Sequence, residues 1–267
     1  MKTPNIKAMF FDIDGTLACS GEHVIHPDDI ESLRHLHSTG LKLFIATGRD
    51  LSIPEERVII DPVLPFFTGF VHMNGQQCFL ADQTIISRHP IADEDFLPIQ
   101  AACEQHRIAM LYCIGPINYL TEDTPAVRRY WKSMGLQTPQ IRPMDPDMHN
   151  ITKLCIHASP DEEERWLKPL LHHTWTARIT EDIIDLIPNG IGKSSGLREI
   201  CSYFSMDPSQ TMAFGDGQND LDLIETAGIG IAMGNAASNV KAAAKFVTLQ
   251  AKEAGITHAL KHFGILN

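Results

Sequence analysis

The stretch "IKAMFFDI" (residues 6–13) carries four apolar residues in a row, Ala8 to Phe11. A strand with one wet face alternates apolar and polar side chains, whereas a run apolar at consecutive positions needs cover on both faces. "LKLFIAT" (41–47), "GFVHMN" (69–74), "TMAFG" (211–215) and "IGIAM" (229–233) read the same way. Between them lie helical segments: "PDDIESLRHLHSTG" closing at Gly40, a helix from about Ser194 to Phe204, "NDLDLIETAG" and "ASNVKAAAK". Buried strands alternating with helices predict an α/β fold, a Rossmann-like parallel sheet covered on both faces.

Residues 83–187 have another texture. "RIAMLYCIGPINYLT" predicts a hairpin broken at Gly115-Pro116, and "TKLCIHAS" a strand leading into the helix "PDEEERWLKPLLHH". "TARITEDIIDLIP" predicts two more strands. Strands joined by short turns with helices between them predict a separate α+β unit. It is expected to be inserted into a discontinuous core of residues 1–82 and 188–267, joined through strands near Cys78–Ile86 and Asp182–Pro188.

Composition narrows the classes of function. The 267 residues carry a formal charge of −11 and no basic run with interleaved aromatics, which argues against nucleic acid as partner. The sequence has no apolar run long enough to span a bilayer and no signal-peptide pattern, so no membrane partner is expected. Its six cysteines are scattered without a CxxC pair, as in reduced thiols of a cytoplasmic protein. A monomer or small homo-oligomer is expected.

The chemistry gathers at strand ends, where open α/β sheets bind ligands. "FFDIDGTL" delivers Asp12 and Asp14, "FIATGRD" delivers Thr47, Gly48 and Arg49, and "MAFGDGQND" delivers Asp216, Asn219 and Asp220. "IPNGIGKSSG" places Lys193 at a helix start. In a parallel sheet these clusters meet at one edge. Several hard oxygen ligands, too few to cage an ion, suit Mg²⁺ with some of its waters. One carboxylate can attack phosphorus while a second moves protons, and Lys193 and Thr47 can hold the non-bridging oxygens.

In that order, "FFDIDGTL", "FIATGR", Lys193 in "GIGKSSG" and "FGDGQNDLDL" resemble the four motifs of the haloacid dehalogenase-like superfamily. "HMNGQ", with Asn74, and "GIAMGNA" resemble accessory motifs of its Cof-type (subfamily IIB) sugar-phosphatase branch. The resemblance implies a Mg²⁺-dependent phosphatase of small phosphorylated metabolites, with the insertion as an α+β cap. Asp12 then matches the nucleophile and a metal ligand. Asp14 matches the general acid/base, its main-chain carbonyl also touching the metal. Thr47 and Lys193 match phosphate-binding residues, with Gly48 beside them, and Asp216 matches the fourth-motif metal ligand. Asn219, Asp220, Arg49 and Asn74 take supporting places. Gln76, Ser194 and the pair Leu223-Ile224 depart from the branch's usual residues, none of them at the chemistry.

Other readings of these residues fare worse. "GDGQND" lacks the glycine and glutamate of a calcium loop, Leu221 and Ala227 standing there. "GIGKS" lacks the first glycine of a nucleotide P-loop, Ile187 standing there. The 13 histidines show no HExxH and read as surface or boundary residues. Two alternatives stay open: a phosphomutase of the same superfamily, and a receiver-like domain that stores phosphate on an aspartate. The cap-sized insertion and the acid at Asp14 argue against the receiver.

Overall fold

The computed structural model describes residues 5–19, 24–114, 117–133, 137–145 and 148–266. In chain order its first part runs β1 (Ala8–Phe11), α1 (Pro27–Ser38), β2 (Lys42–Ala46), α2 (Pro54–Arg57), β3 (Gly69–His72), β4 (Gln77–Leu80) and β5 (Ile85–Arg88). The middle comprises α3 (Asp93–His106), β6 (Ala109–Ile114), β7 (Ile117–Leu120), α4 (Pro125–Ser133), β8 (Gln140–Ile141), β9 (Leu154–His157), α5 (Pro160–Glu162), β10 (Thr174–Thr180) and β11 (Ile183–Pro188). The last part is α6 (Lys193–Tyr203), β12 (Thr211–Gly215), α7 (Leu221–Thr226), β13 (Ile229–Ala232), α8 (Ser238–Ala243), β14 (Phe246–Val247) and α9 (Gly255–His262). Among the described residues no helix is long and apolar enough to cross a membrane.

The chain divides into two compact units, Met1–Arg88 with Ile191–Asn267, and His89–Gly190. In the first, the sheet order is β14-β13-β12-β1-β2-β3-β4-β5, parallel from β14 to β3 and antiparallel across the last two pairs. The consecutive apolar residues of β1 serve two cores, as a pleated strand requires. Met9 and Phe11 face one cluster with Leu33 of α1 and Leu260 of α9, while Ala8 and Phe10 face another with Leu197 of α6 and Leu223 of α7. Phe11 stacks on Phe214 at 4.9 Å and Phe10 on Phe44 at 5.0 Å, tying three neighbouring strands together.

Helix α9 completes this unit, and a carboxylate from α1 secures it. Its first turn has no side-chain cap of its own; Asp29 accepts from Thr257 N at 2.8 Å and Thr257 Oγ1 at 2.7 Å. Burial outweighs those bonds and raises the Asp29 carboxyl above its ordinary range.

The second unit holds a six-stranded sheet of order β10-β11-β9-β6-β7-β8, antiparallel except for β7 beside β8. Phe96, Ile99 and Cys103 of α3 pack on Met110, Tyr112 and Ile156, and Val127 and Trp131 of α4 pack with Ala109, Leu111 and Ile183. β6 and β7 pair as the expected hairpin, although Gly115 and Pro116, its expected break, lie outside the described residues.

Two expectations need correction. The first unit continues to Arg88 rather than ending at 82, because β5 pairs with β4 as the edge of the core sheet; the second accordingly runs over 89–190 rather than 83–187. The segment 160–173 is not one regular helix. A single α turn at Pro160–Glu162 widens into a π turn at Glu163–Leu167 and tightens into a 3₁₀ turn at Lys168–Leu170. Pro169 has no N–H to donate back along an α-helix, which accounts for the break.

Candidate active site

Because β1, β2, β12 and β13 are parallel, the residues that follow them emerge at one edge of the sheet. Asp12 follows β1, Thr47 follows β2 and Asp216 follows β12. At that edge Lys193, the first residue of α6, lies wholly buried, its Nζ 2.6 Å from Asp12 Oδ1 and 2.5 Å from Asp220 Oδ1. Burial alone would lower the lysine's pKa, but the two carboxylates raise it and hold it charged. The other Asp220 oxygen accepts the backbone N–H groups of Asp216 and Gly217 at 3.0 and 2.9 Å, so the loop after β12 folds around this one carboxylate.

Asp216 is fixed on both oxygens. Thr16 Oγ1 donates to Oδ1 at 3.1 Å, and Asn235 Nδ2 donates to Oδ2 at 3.0 Å and to the Gly15 carbonyl at 2.8 Å. Gly15 sits at φ +83°, and a Cβ there would fall 2.2 Å from Asp216 Oδ2. The "DG" pair therefore does more than turn the chain, since it lets this carboxylate lie flat against the backbone. Burial first, then the neighbouring Asp220 charge, push the Asp216 carboxyl up to about 6. Burial, with Asp220, likewise raises Asp12 well above the carboxylate range, against the opposing pull of Lys193.

Carboxylate oxygens of Asp12, Asp216 and Asp220 lie within 4.8 Å of one another. With all three ionised, Lys193 offsets one charge and two remain at the strand ends, a balance that the raised Asp12 and Asp216 carboxyls resist. A divalent cation cancels that remainder, and an all-oxygen donor set suits Mg²⁺. The residues present thus fit the expected ion, with Asp220 in the cluster rather than only beside it. The Asp14 carboxylate turns elsewhere: Arg49 donates Nε and Nη2 to its two oxygens, both at 2.7 Å. Only the main-chain carbonyl that the resemblance names is left for Asp14 to offer a metal.

The remaining expected residues contact one another. Thr47 is buried, and its hydroxyl accepts from Arg49 N at 3.1 Å, a contact that uses a lone pair and not the proton. Asn74 adopts a left-handed backbone, donates its N–H to the Thr47 carbonyl at 3.0 Å, and accepts from Asn219 Nδ2 at 3.0 Å. Gly48 packs against the Asn74 amide. All the residues singled out in the sequence therefore share one neighbourhood. Thr16 and Asn235 were not among them. Thr16 follows Gly15 directly, and Asn235 stands in "GIAMGNA", three residues beyond the end of β13, so the strand-end rule reaches both.

Fold and edge define an α/β protein with a carboxylate cluster and a buried cation at the carboxyl ends of its parallel strands. The chain belongs to the haloacid dehalogenase-like hydrolase family, whose sequence profile matches residues 9–260. YkrA of Bacillus subtilis (strain 168) is 28% identical over 97% of this chain and 98% of its own. BT1666 of Bacteroides thetaiotaomicron, a phosphatase of the same superfamily, superimposes with a TM-score of 0.89 at 31% identity, over 98% of this chain and 96% of that one. The subclass IIB sugar phosphatase BT4131 does so at 0.86 and 31% identity, over 97% and 100%.

Proposed function

We propose that this protein is a Mg²⁺-dependent phosphatase of small phosphate monoesters, sugar phosphates foremost, working through a phosphoryl group carried on Asp12. The observation that carries the reading is the buried Asp12–Lys193–Asp220 chain beside Asp216. The match to the sugar phosphatase BT4131 along nearly the whole chain supports the substrate class.

Lys193 engages Oδ1 of Asp12 and leaves Oδ2 as the oxygen that attacks phosphorus. The new Asp12–phosphorus bond forms as the ester P–O bond breaks, and the leaving oxygen takes a proton from Asp14. Water then gives a proton to Asp14 and attacks phosphorus, breaking the bond to Asp12 and releasing phosphate. Asp14 has to turn from Arg49 to serve in both steps, a side-chain rotation open to a half-exposed residue. The Lys193 ammonium and the Thr47 hydroxyl hold the non-bridging oxygens. Mg²⁺, held by Asp12 and Asp216 with Asp220 alongside, would offset the repulsion between these carboxylates and the incoming phosphate.

The test is a panel of phosphorylated metabolites with phosphate release as readout, in Mg²⁺ and in chelator. Sugar phosphates should release phosphate only with Mg²⁺. Undiminished release in chelator contradicts the metal site, and a positional isomer in place of free phosphate identifies a mutase.

A further inference from the structure

Lys193 depends on where α6 begins. It is the first residue of that helix, and the preceding Gly192 has no side chain to cap the free N–H groups of the first turn. One of those donors, Ser194 N, is taken at 3.0 Å by Asp222 Oδ2, a carboxylate from α7. The approach is close. A Cβ at Gly192 would fall 2.3 Å from the same Asp222 oxygen, and a Cβ at Gly75 would fall 2.1 Å from the Gly192 carbonyl. The backbone just before Lys193 is therefore held between the turn after β3 on one side and Asp222 on the other. Asp222 is two residues beyond Asp220, the buried partner of Lys193. One short segment thus fixes the lysine's ammonium through Asp220 and its backbone through Asp222.

We propose that Asp222 is a positioning residue: it accepts the Ser194 N–H and so sets the start of α6 that aims Lys193 at the transferred phosphate. It touches neither substrate nor metal. Its role is as an acceptor at a helix N-terminus, so its shape and lone pair matter more than its charge. A displacement of about 1 Å at a catalytic group can cost about a hundredfold in rate, which is the scale expected here.

The inference rests on the phosphatase reading, and the test separates the two. The whole chain is assayed with p-nitrophenyl phosphate and Mg²⁺, with inorganic phosphate as competing ligand. If the parent does not hydrolyse the ester, the phosphatase reading fails. If it does, Asp222→Ala should lower kcat per folded molecule by about ten- to a hundredfold and weaken inhibition by phosphate, because both depend on Lys193. Asp222→Asn keeps an acceptor of the same shape and should restore both to within about threefold of the parent. Gly192→Ala, which keeps Asp222 but crowds its carboxylate, should reproduce the loss, and it carries the test should Asp222→Ala not fold. Combined with Asp222→Ala, it should cost less than the product of the single losses. Unchanged kcat and phosphate inhibition in folded Asp222→Ala, or in Gly192→Ala, would overturn the proposal. So would failure of Asp222→Asn to restore them.

Discussion

Replacing Lys193 with methionine keeps a long flexible side chain of similar reach but removes the ammonium. The structure gives the cost two parts. Asp12 and Asp220, each within 2.6 Å of Nζ, lose their shared counter-ion where Asp220 is fully buried and Asp12 nearly so. Breaking one buried pair typically costs about 3–5 kcal/mol, since an uncompensated charge is left behind. For a chain of this size about 1 kcal/mol corresponds to roughly 2–4 °C in Tm, so a fall of about 10 °C is expected. Lys193→Met is then compared with Asp220→Asn and with the double variant by thermal melting followed by circular dichroism, in chelator. The double variant should melt higher than Lys193→Met, because it removes one of the two stranded charges. In Mg²⁺, turnover of the folded single variant should fall by about 10²–10³, the usual cost of losing one donor to the transferred oxygens. A Lys193→Met protein that melts within about 2 °C of the parent would refute the buried-bridge reasoning. Turnover within about tenfold would refute the lysine's role in catalysis.

Three further outcomes can be checked. Asp14→Asn should slow an alkyl phosphate far more than an activated aryl ester in the first step, because only the former needs its leaving oxygen protonated; equal losses would make Asp14 structural. His157 is buried with neither ring nitrogen hydrogen-bonded, and burial pushes its pKa down from 6.5 to about 4. Between those values the unfolded chain binds the extra proton, so stability is full above about pH 6.5 and falls by about 3 kcal/mol as pH drops to 4. Urea unfolding should show that slope reduced in His157→Phe, and parallel profiles would contradict it. Asp29→Asn should leave the melting temperature at neutral pH unchanged or raise it, as the amide still accepts from Thr257 without a buried charge, whereas Asp29→Ala should lose about 1–2 kcal/mol. Because the Asp29 pKa is raised, its ionisation costs stability as pH climbs above the ordinary carboxylate range, and Asp29→Asn should remove that slope.

Much of this is legible in the chain itself. The unbroken apolar runs at Ala8–Phe11 and Thr211–Gly215 require a sheet covered on both faces, and parallel strands send Asp12, Thr47 and Asp216 to one edge whatever the loops do. Less legible are contacts made by short polar groups between elements distant in sequence. Nothing near Asp216 announces that Thr16 and Asn235 will pin its two oxygens, 200 and 19 residues away. Nor does Asp29 announce that it will cap α9, 228 residues on. The edge at β5 is harder to read, because a short, half-exposed strand with turn residues Asp82 and Gln83 before it reads equally well as a linker. The regular helix expected over 160–173 follows the apolar spacing, whereas the structure follows the proline, a local rule that overrides periodicity.

The central claim is that Asp12 carries the phosphoryl group, and it is tested most directly by looking for that group on the protein. Asp14→Asn, slowed in the water step, is mixed with an activated phosphate ester and Mg²⁺, quenched in acid within the first turnovers, and digested for peptide mass spectrometry. The account predicts a phosphoryl group on the peptide containing Asp12, localised to Asp12 by fragmentation and absent when Asp12→Asn is added to the same protein. Ester cleavage that continues undiminished in the Asp12→Asn protein, or a phosphoryl group localised to another residue, would contradict it.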